Sequence, residues 1–146
     1  MFKLRNWIDK DKIDWCWLSG NSSESAVRLL EKNPDKIHWT CLSANPSTSA
    51  MALLEKNLEK INWVGLSANP STSAMALLEK NQDKINWLWL SGNPSGMRLL
   101  EKNQDKIFWP WLSGNPSAIA LLEQNQDKIF WPWLSKNPSA SAVRLL

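Results

Sequence analysis

Apolar residues along this chain fall into two alternating patterns. In the stretch NPSTSAMALLEKN, residues 45–57, Ala50, Leu53 and Leu54 are spaced i, i+3 and i+4, which is one face of a helix. Asn45 suits an N-cap, Pro46 the first helical position, and Asn57 a left-handed ending. This predicts a helix of about two to three turns. The stretch before it follows the pattern D-K-I-x-W-x-x-L-S, and in two places it reads DKIFWPWLS. A helix running from Asp105 would carry Pro110 beyond its first turn, at a cost of about 3 kcal/mol. A helix starting after Phe108 puts Trp109 and Pro110 in its first turn, where proline is tolerated. Elsewhere the residue equivalent to Phe108 is Asp14, His38, Asn62 or Asn86, and all but His38 are favoured N-caps. The segment x-W-x-x-L-S therefore reads as a short helix, α or 3-10, with DKI as an extended lead-in. No run shows a clean period-two strand.

The two patterns alternate because the chain is one unit repeated. Its tryptophan recurs at Trp15, Trp39, Trp63, Trp87, Trp109 and Trp131, at intervals of 24, 24, 24, 22 and 22 residues. Residues 42–57 and 66–81 are identical, and NQDKIFWPWLS occurs twice unchanged. Such a period means stacked units, none of which can bury its apolar face alone. The expected fold is all-α: an α-solenoid of short helix pairs, forming a single repeat domain over residues 1–146. Residues 1–12 depart from the unit and are expected to cap the N-terminus, with about six units from residue 13. Ile37, Trp39, Leu42, Leu53 and Leu54, with their equivalents, are the expected core. The last unit stops at SAVRLL where earlier units continue with EKN or EQN. Leu145 and Leu146 are therefore expected to leave an uncapped apolar face suited to end-to-end assembly.

The tryptophans are of two kinds. The set just named occurs in every unit and is expected to be structural. Two positions on, the column reads Trp17, Cys41, Gly65, Trp89, Trp111 and Trp133. A column that accepts glycine, cysteine and tryptophan is not tightly packed. Trp89, Trp111 and Trp133 are consecutive in it and are expected to form a row of rings ~10 Å apart, the spacing of packed helices. That row, with Trp17, is either a candidate partner-binding surface or a cover for gaps on the flank of the solenoid.

Composition narrows the function classes. Lys and Arg outnumber Asp and Glu by 17 to 14, a mild surplus, and the Asp-Lys pairs recur in register so that their charges nearly cancel. This suits a solvated face better than a phosphate track, and nucleic acid is not the expected partner. The asparagine column of Asn33, Asn57, Asn81, Asn103 and Asn125 is expected to cap helices or link units. Cys16 and Cys41 occupy different unit positions, so neither a disulfide framework nor a zinc site is expected. His38, the only histidine, has no evident partner for a metal or a catalytic triad. No catalytic, metal or cofactor site is expected, and the chain reads as a non-enzyme. No run reaches the ~18 apolar residues of a membrane span, and the N-terminus shows no signal peptide, so an intracellular setting is expected.

The unit LSxNPxxxxLLEKNxDKIxWxxLSxNP, with the opening KLRNWIDKDKIDW, resembles a family of tandem-repeat proteins of large DNA viruses. The resemblance covers nearly the whole chain. It implies a helical repeat and a viral origin, in host cytoplasm or virion, and carries over no catalytic residue. The expected function is a repeat scaffold that binds a protein partner through its tryptophans. The alternatives are a structural component that stacks end to end, or stacking of a glycan or single-stranded nucleic acid on the rings.

Overall fold

The computed structural model describes residues 8–146. The described residues form the expected all-α array, with no strand among them. Each of the first helices opens on the tryptophan common to all units: α1 (Trp15–Gly20), α3 (Trp39–Ser43), α5 (Trp63–Ala68), α7 (Trp87–Gly92), α9 (Trp109–Ser113) and α11 (Trp131–Leu134). The second helices carry the Leu-Leu pair: α2 (Glu24–Glu31), α4 (Thr48–Glu55), α6 (Thr72–Lys80), α8 (Met97–Lys102) and α10 (Ile119–Glu123). First helices pack on first helices along the array, and α2, α4 and α6 pack likewise.

The lead-in differs from the expected extended DKI. The Asp-Lys pair lies in a 3-10 turn, as at Leu58–Lys60 and Gln104–Lys106, and only the isoleucine after it is extended. The turn is closed by Lys60 N–H donating to the Asn57 carbonyl at 2.9 Å. Asn57 is not left-handed: its φ is −137°, and no described residue has a positive φ. It ends α4 with its side chain instead, Nδ2 donating to the Leu53 carbonyl at 2.8 Å. Asn33, Asn81, Asn103 and Asn125 do the same at their own helix ends.

Asn45 is likewise not the N-cap. Ser47 takes that place, its Oγ accepting from Ala50 N–H at 3.3 Å. Asn45 is buried and joins units. Its Nδ2 donates to the carbonyls of Ser19 and Asn21, and its Oδ1 accepts from Ser47 N–H. Asn69, Asn93, Asn115 and Asn137 repeat this in every later unit. A serine column completes the joint. Ser43 Oγ donates to the Trp39 carbonyl at 2.8 Å and accepts from Asn62 N–H of the next unit at 2.9 Å. Every buried side-chain nitrogen or oxygen among the described residues has a partner.

Between these joints runs a leucine spine. Leu42, Leu54, Leu66, Leu78, Leu90, Leu100, Leu112 and Leu122 are fully buried, with Ile37 and its equivalents beside them. Trp39 and its equivalents were expected in the core, but they sit half-buried at its margin, and Trp131 is 50% exposed. Two of them carry a lysine of the next unit over the ring, with Lys106 Nζ 4.9 Å from the Trp87 ring and Lys128 Nζ 4.6 Å from that of Trp109. The lysine column is thus partly a lid on the tryptophan column.

The two-residue shortening of later units falls at the start of the second helix. α4 and α6 have 8 and 9 residues, α8 and α10 have 6 and 5. At the N-terminus, the cap expected over residues 1–12 falls outside the described residues for its first seven. Lys10–Lys12 forms the same 3-10 turn as the later units. At the other end, Leu145 is partly buried against the core and Leu146 is exposed. No helix among the described residues is long and apolar enough to cross a membrane.

Candidate functional site

The second tryptophan column lies at the third position of the first helices, and two of its rings reach the preceding unit. Trp111 leans onto Gly92 at the end of α7, and Trp133 onto Gly114. A Cβ added to either glycine would lie 3.0 Å from the ring's Cε3 atom. Glycine at these two positions therefore lets the indoles close down. The rings meet each other in consequence. Trp89 and Trp111 have centroids 5.0 Å apart at 65°, and Trp111 and Trp133 have centroids 5.4 Å apart at 31°. The spacing expected from helix packing was about twice this. The rings therefore touch directly instead of standing one helix spacing apart.

The three rings wall a groove of about 490 Å³. Ala68, Gly92 and Gly114 also line it, and Lys136 brings the one cationic side chain of the lining. Trp89 is 40% and Trp133 37% exposed, with Trp111 half-buried between them. Trp17 does not join this row. Cys41 and Gly65 follow it in the column, so no ring continues from it, and it stands alone at 80% exposure. Sequence reasoning missed Gly92, Gly114 and Lys136. The available signal was the column before Asn-Pro, which is alanine or glycine until Lys136 once the array is under way.

The proline of the two Trp-Pro-Trp units sits where expected, in the first turn of α9 and α11. In the earlier units a side chain caps this turn: Asp14, His38, Asn62 and Asn86 each accept from the N–H three residues on. Phe108 and Phe130 have no such side chain. Proline at the second helical position removes one of the donors that would otherwise lack a partner, and its fixed φ suits the turn.

Cys16 and Cys41, for which no disulfide was expected, form one between α1 and α3, with Cα atoms 5.8 Å apart. The one-position offset in the repeat register is what brings them together. The residue after the common tryptophan in one unit faces the second residue after it in the next. The following joint shows the same contact, since a Cβ on Gly65 would lie 3.3 Å from the Thr40 carbonyl. His38, expected to lack partners, lies at this joint as well. One ligand atom from each of Cys16, His38 and Cys41 falls within 4.8 Å of the others.

Among the described residues one charged cluster stands out. Glu79 accepts from Arg98 Nη2 at 2.9 Å and Lys102 Nζ at 3.1 Å across a joint. The Lys102 hydrogen bond, followed by that of Arg98, holds the Glu79 carboxyl below the ordinary glutamate range. The cluster lies at the surface.

No protein-family model, no curated protein and no solved structure matches this chain.

Proposed function

We propose that the chain is a non-enzymatic repeat scaffold that binds a protein partner through the Trp89–Trp111–Trp133 groove. The observation that carries this reading is the continuous wall of three touching, partly exposed indoles beside a lysine. Tryptophan supplies large contact area at low conformational cost and is enriched at the energetic centres of interfaces. The occupant that fits is an extended segment presenting apolar or proline side chains to the rings, with a carboxylate toward Lys136. The partner is proposed to be a host or virion protein, following the resemblance to viral tandem-repeat proteins.

The test is a pull-down from host lysate with the intact chain beside a Trp89/Trp111/Trp133→Ala variant shown to be folded by circular dichroism. Bound material is analysed for protein and nucleic acid. The reading expects a protein held by the intact chain, lost from the triple variant, and weakened by Lys136→Glu. Equal capture by both chains would make the row packing alone. Capture of nucleic acid that falls steeply with salt would replace the protein partner.

A second reading is end-to-end assembly. It rests on the apolar surface of the last unit, where Trp131, Val143 and Leu146 are exposed. Ser135 Oγ donates to the Trp131 carbonyl as its equivalents do, and a copy stacked in register would present Asp14 N–H to Ser135 Oγ, as Phe130 N–H meets Ser113 Oγ. Sedimentation at rising concentration decides: mass that grows supports stacking, and a constant monomer mass rejects it.

A further inference from the structure

We propose that Cys16, His38 and Cys41 form a redox-gated site for a thiophilic divalent cation of the zinc class, closed as the disulfide and opened by reduction. The chain has two cysteines and one histidine, and all three meet at the α1–α3 joint with ligand atoms within 4.8 Å. At the next joint the same three positions hold Thr40, Asn62 and Gly65, none of them a soft ligand. The array therefore folds without these side chains at a joint of the same kind.

The geometry suits a tetrahedral ion. Two thiolates on one zinc stand ~3.8 Å apart, each at ~2.3 Å from the metal, and a Cα separation of 5.8 Å accommodates that with side-chain rotation. His38 gives up little to reach the ion. Its Nδ1 accepts from Cys41 N–H at 3.4 Å, longer than the 2.8 Å of the equivalent Asn62–Gly65 cap. Both cysteines are half-buried and His38 is exposed, so an ion has a way in and water can fill the fourth position. Two thiolates, a neutral imidazole and a divalent cation sum to zero charge.

The chemistry balances with low-molecular-weight thiols as the reductant. Two of them give up two electrons and two protons, form their own disulfide, and leave Cys16 and Cys41 as thiols. Binding of the cation then releases two protons as the thiolates ligate. In the oxidised chain both sulfurs are spent in the S–S bond and the site is closed.

The test uses the full chain, reduced with a phosphine, desalted without oxygen, and titrated with Co²⁺ as a spectroscopic stand-in for zinc. The expected result is one Co²⁺ per chain, with thiolate-to-cobalt charge-transfer absorption that zinc abolishes, and no such band in the oxidised chain. Cys16→Thr and Cys41→Gly install residues of the next joint, so both are expected to keep the helical circular dichroism spectrum and lose the band. His38→Asn keeps a capping side chain and is expected to weaken binding at least tenfold. The proposal is overturned if the reduced chain gives no band, or gives one only after losing its helical spectrum. Binding unchanged in any of the three variants overturns it equally.

Discussion

At Gly92 the smallest side chain decides where the largest one lies. A Cβ there would press on Trp111 at 3.0 Å, and a rigid indole cannot give way by bending. Gly92→Ala is expected to preserve the fold while lifting Trp111 toward the exposure of Trp89. Fluorine NMR of fluorotryptophan-labelled chain would show this as a shift of the Trp111 signal with the remaining signals in place. Truncation should separate the second column into two classes. Trp17→Ala, at 80% exposure, is expected to change stability by less than about 0.5 kcal/mol. Trp111→Ala removes contacts with two rings and is expected to cost about 1–2 kcal/mol in a urea melt, as lost packing between aromatics. A cost above about 4 kcal/mol would mean that the ring is core and not a groove wall. Which tryptophans recur was plain from the repeat; which of them touch was not. Ring contact depends on the lean of each side chain and on the bulk beneath it, and neither is a periodic property.

At the scale of the element, the joints between units are held by polar groups as much as by leucines. Asn69 is the clearest case, with Nδ2 on the Ser43 and Asn45 carbonyls and Oδ1 on Ser71 N–H, all in a buried setting. Asn69→Ala leaves those groups without partners and is expected to cost about 2–4 kcal/mol. Asn57→Ala removes one partly buried hydrogen bond and should cost about 1 kcal/mol in the same urea titration. Equal effects would mean that the ladder carries no special weight. Both asparagines stand out in the unit, and sequence reasoning could name them as structural. It expected Asn57 to cap a helix, which it does through its side chain and not through a left-handed backbone, but it placed Asn45 at an N-cap that Ser47 occupies. An asparagine before proline looks like an N-cap when the helix is considered alone, and only a neighbouring unit supplies the two carbonyls that hold Asn45 and Asn69. The Glu79–Arg98–Lys102 cluster also spans a joint. Its carboxyl is held low in the folded chain, so its contribution is full above the ordinary glutamate pKa. That contribution is lost as pH falls through the lower folded value. The difference in thermal midpoint between the intact chain and Glu79→Gln should therefore vanish on acidification; a difference that persists in acid would rule the ion pairs out as its source.

Across the whole molecule, the strongest contacts among the described residues run between neighbouring units, so stability is expected to be graded along the array and not uniform. The Cys16–Cys41 bridge closes a separation of 25 residues and ties the first two units. Its loss is expected to destabilise them by about 3 kcal/mol, on the loop-closure account. Hydrogen exchange would place the effect: amides of α1–α3 should exchange faster after reduction while those of α7–α9 stay unchanged. Loss of protection along the full array would mean that the units unfold as one body.

The all-α repeat, its period, the proline in the first turn and the leucine spine were all legible in the sequence alone. Each is a local or periodic property: helical spacing, a missing N–H, and the same residue types returning every 22 or 24 positions. Only the tertiary structure decided what happens between units. It brought Cys16 to Cys41 through a one-position offset, set the asparagines on a neighbour's carbonyls, laid lysines over tryptophans, and closed a row of rings into a groove. Those contacts depend on how one unit is turned against the next, and no single unit's pattern encodes that angle.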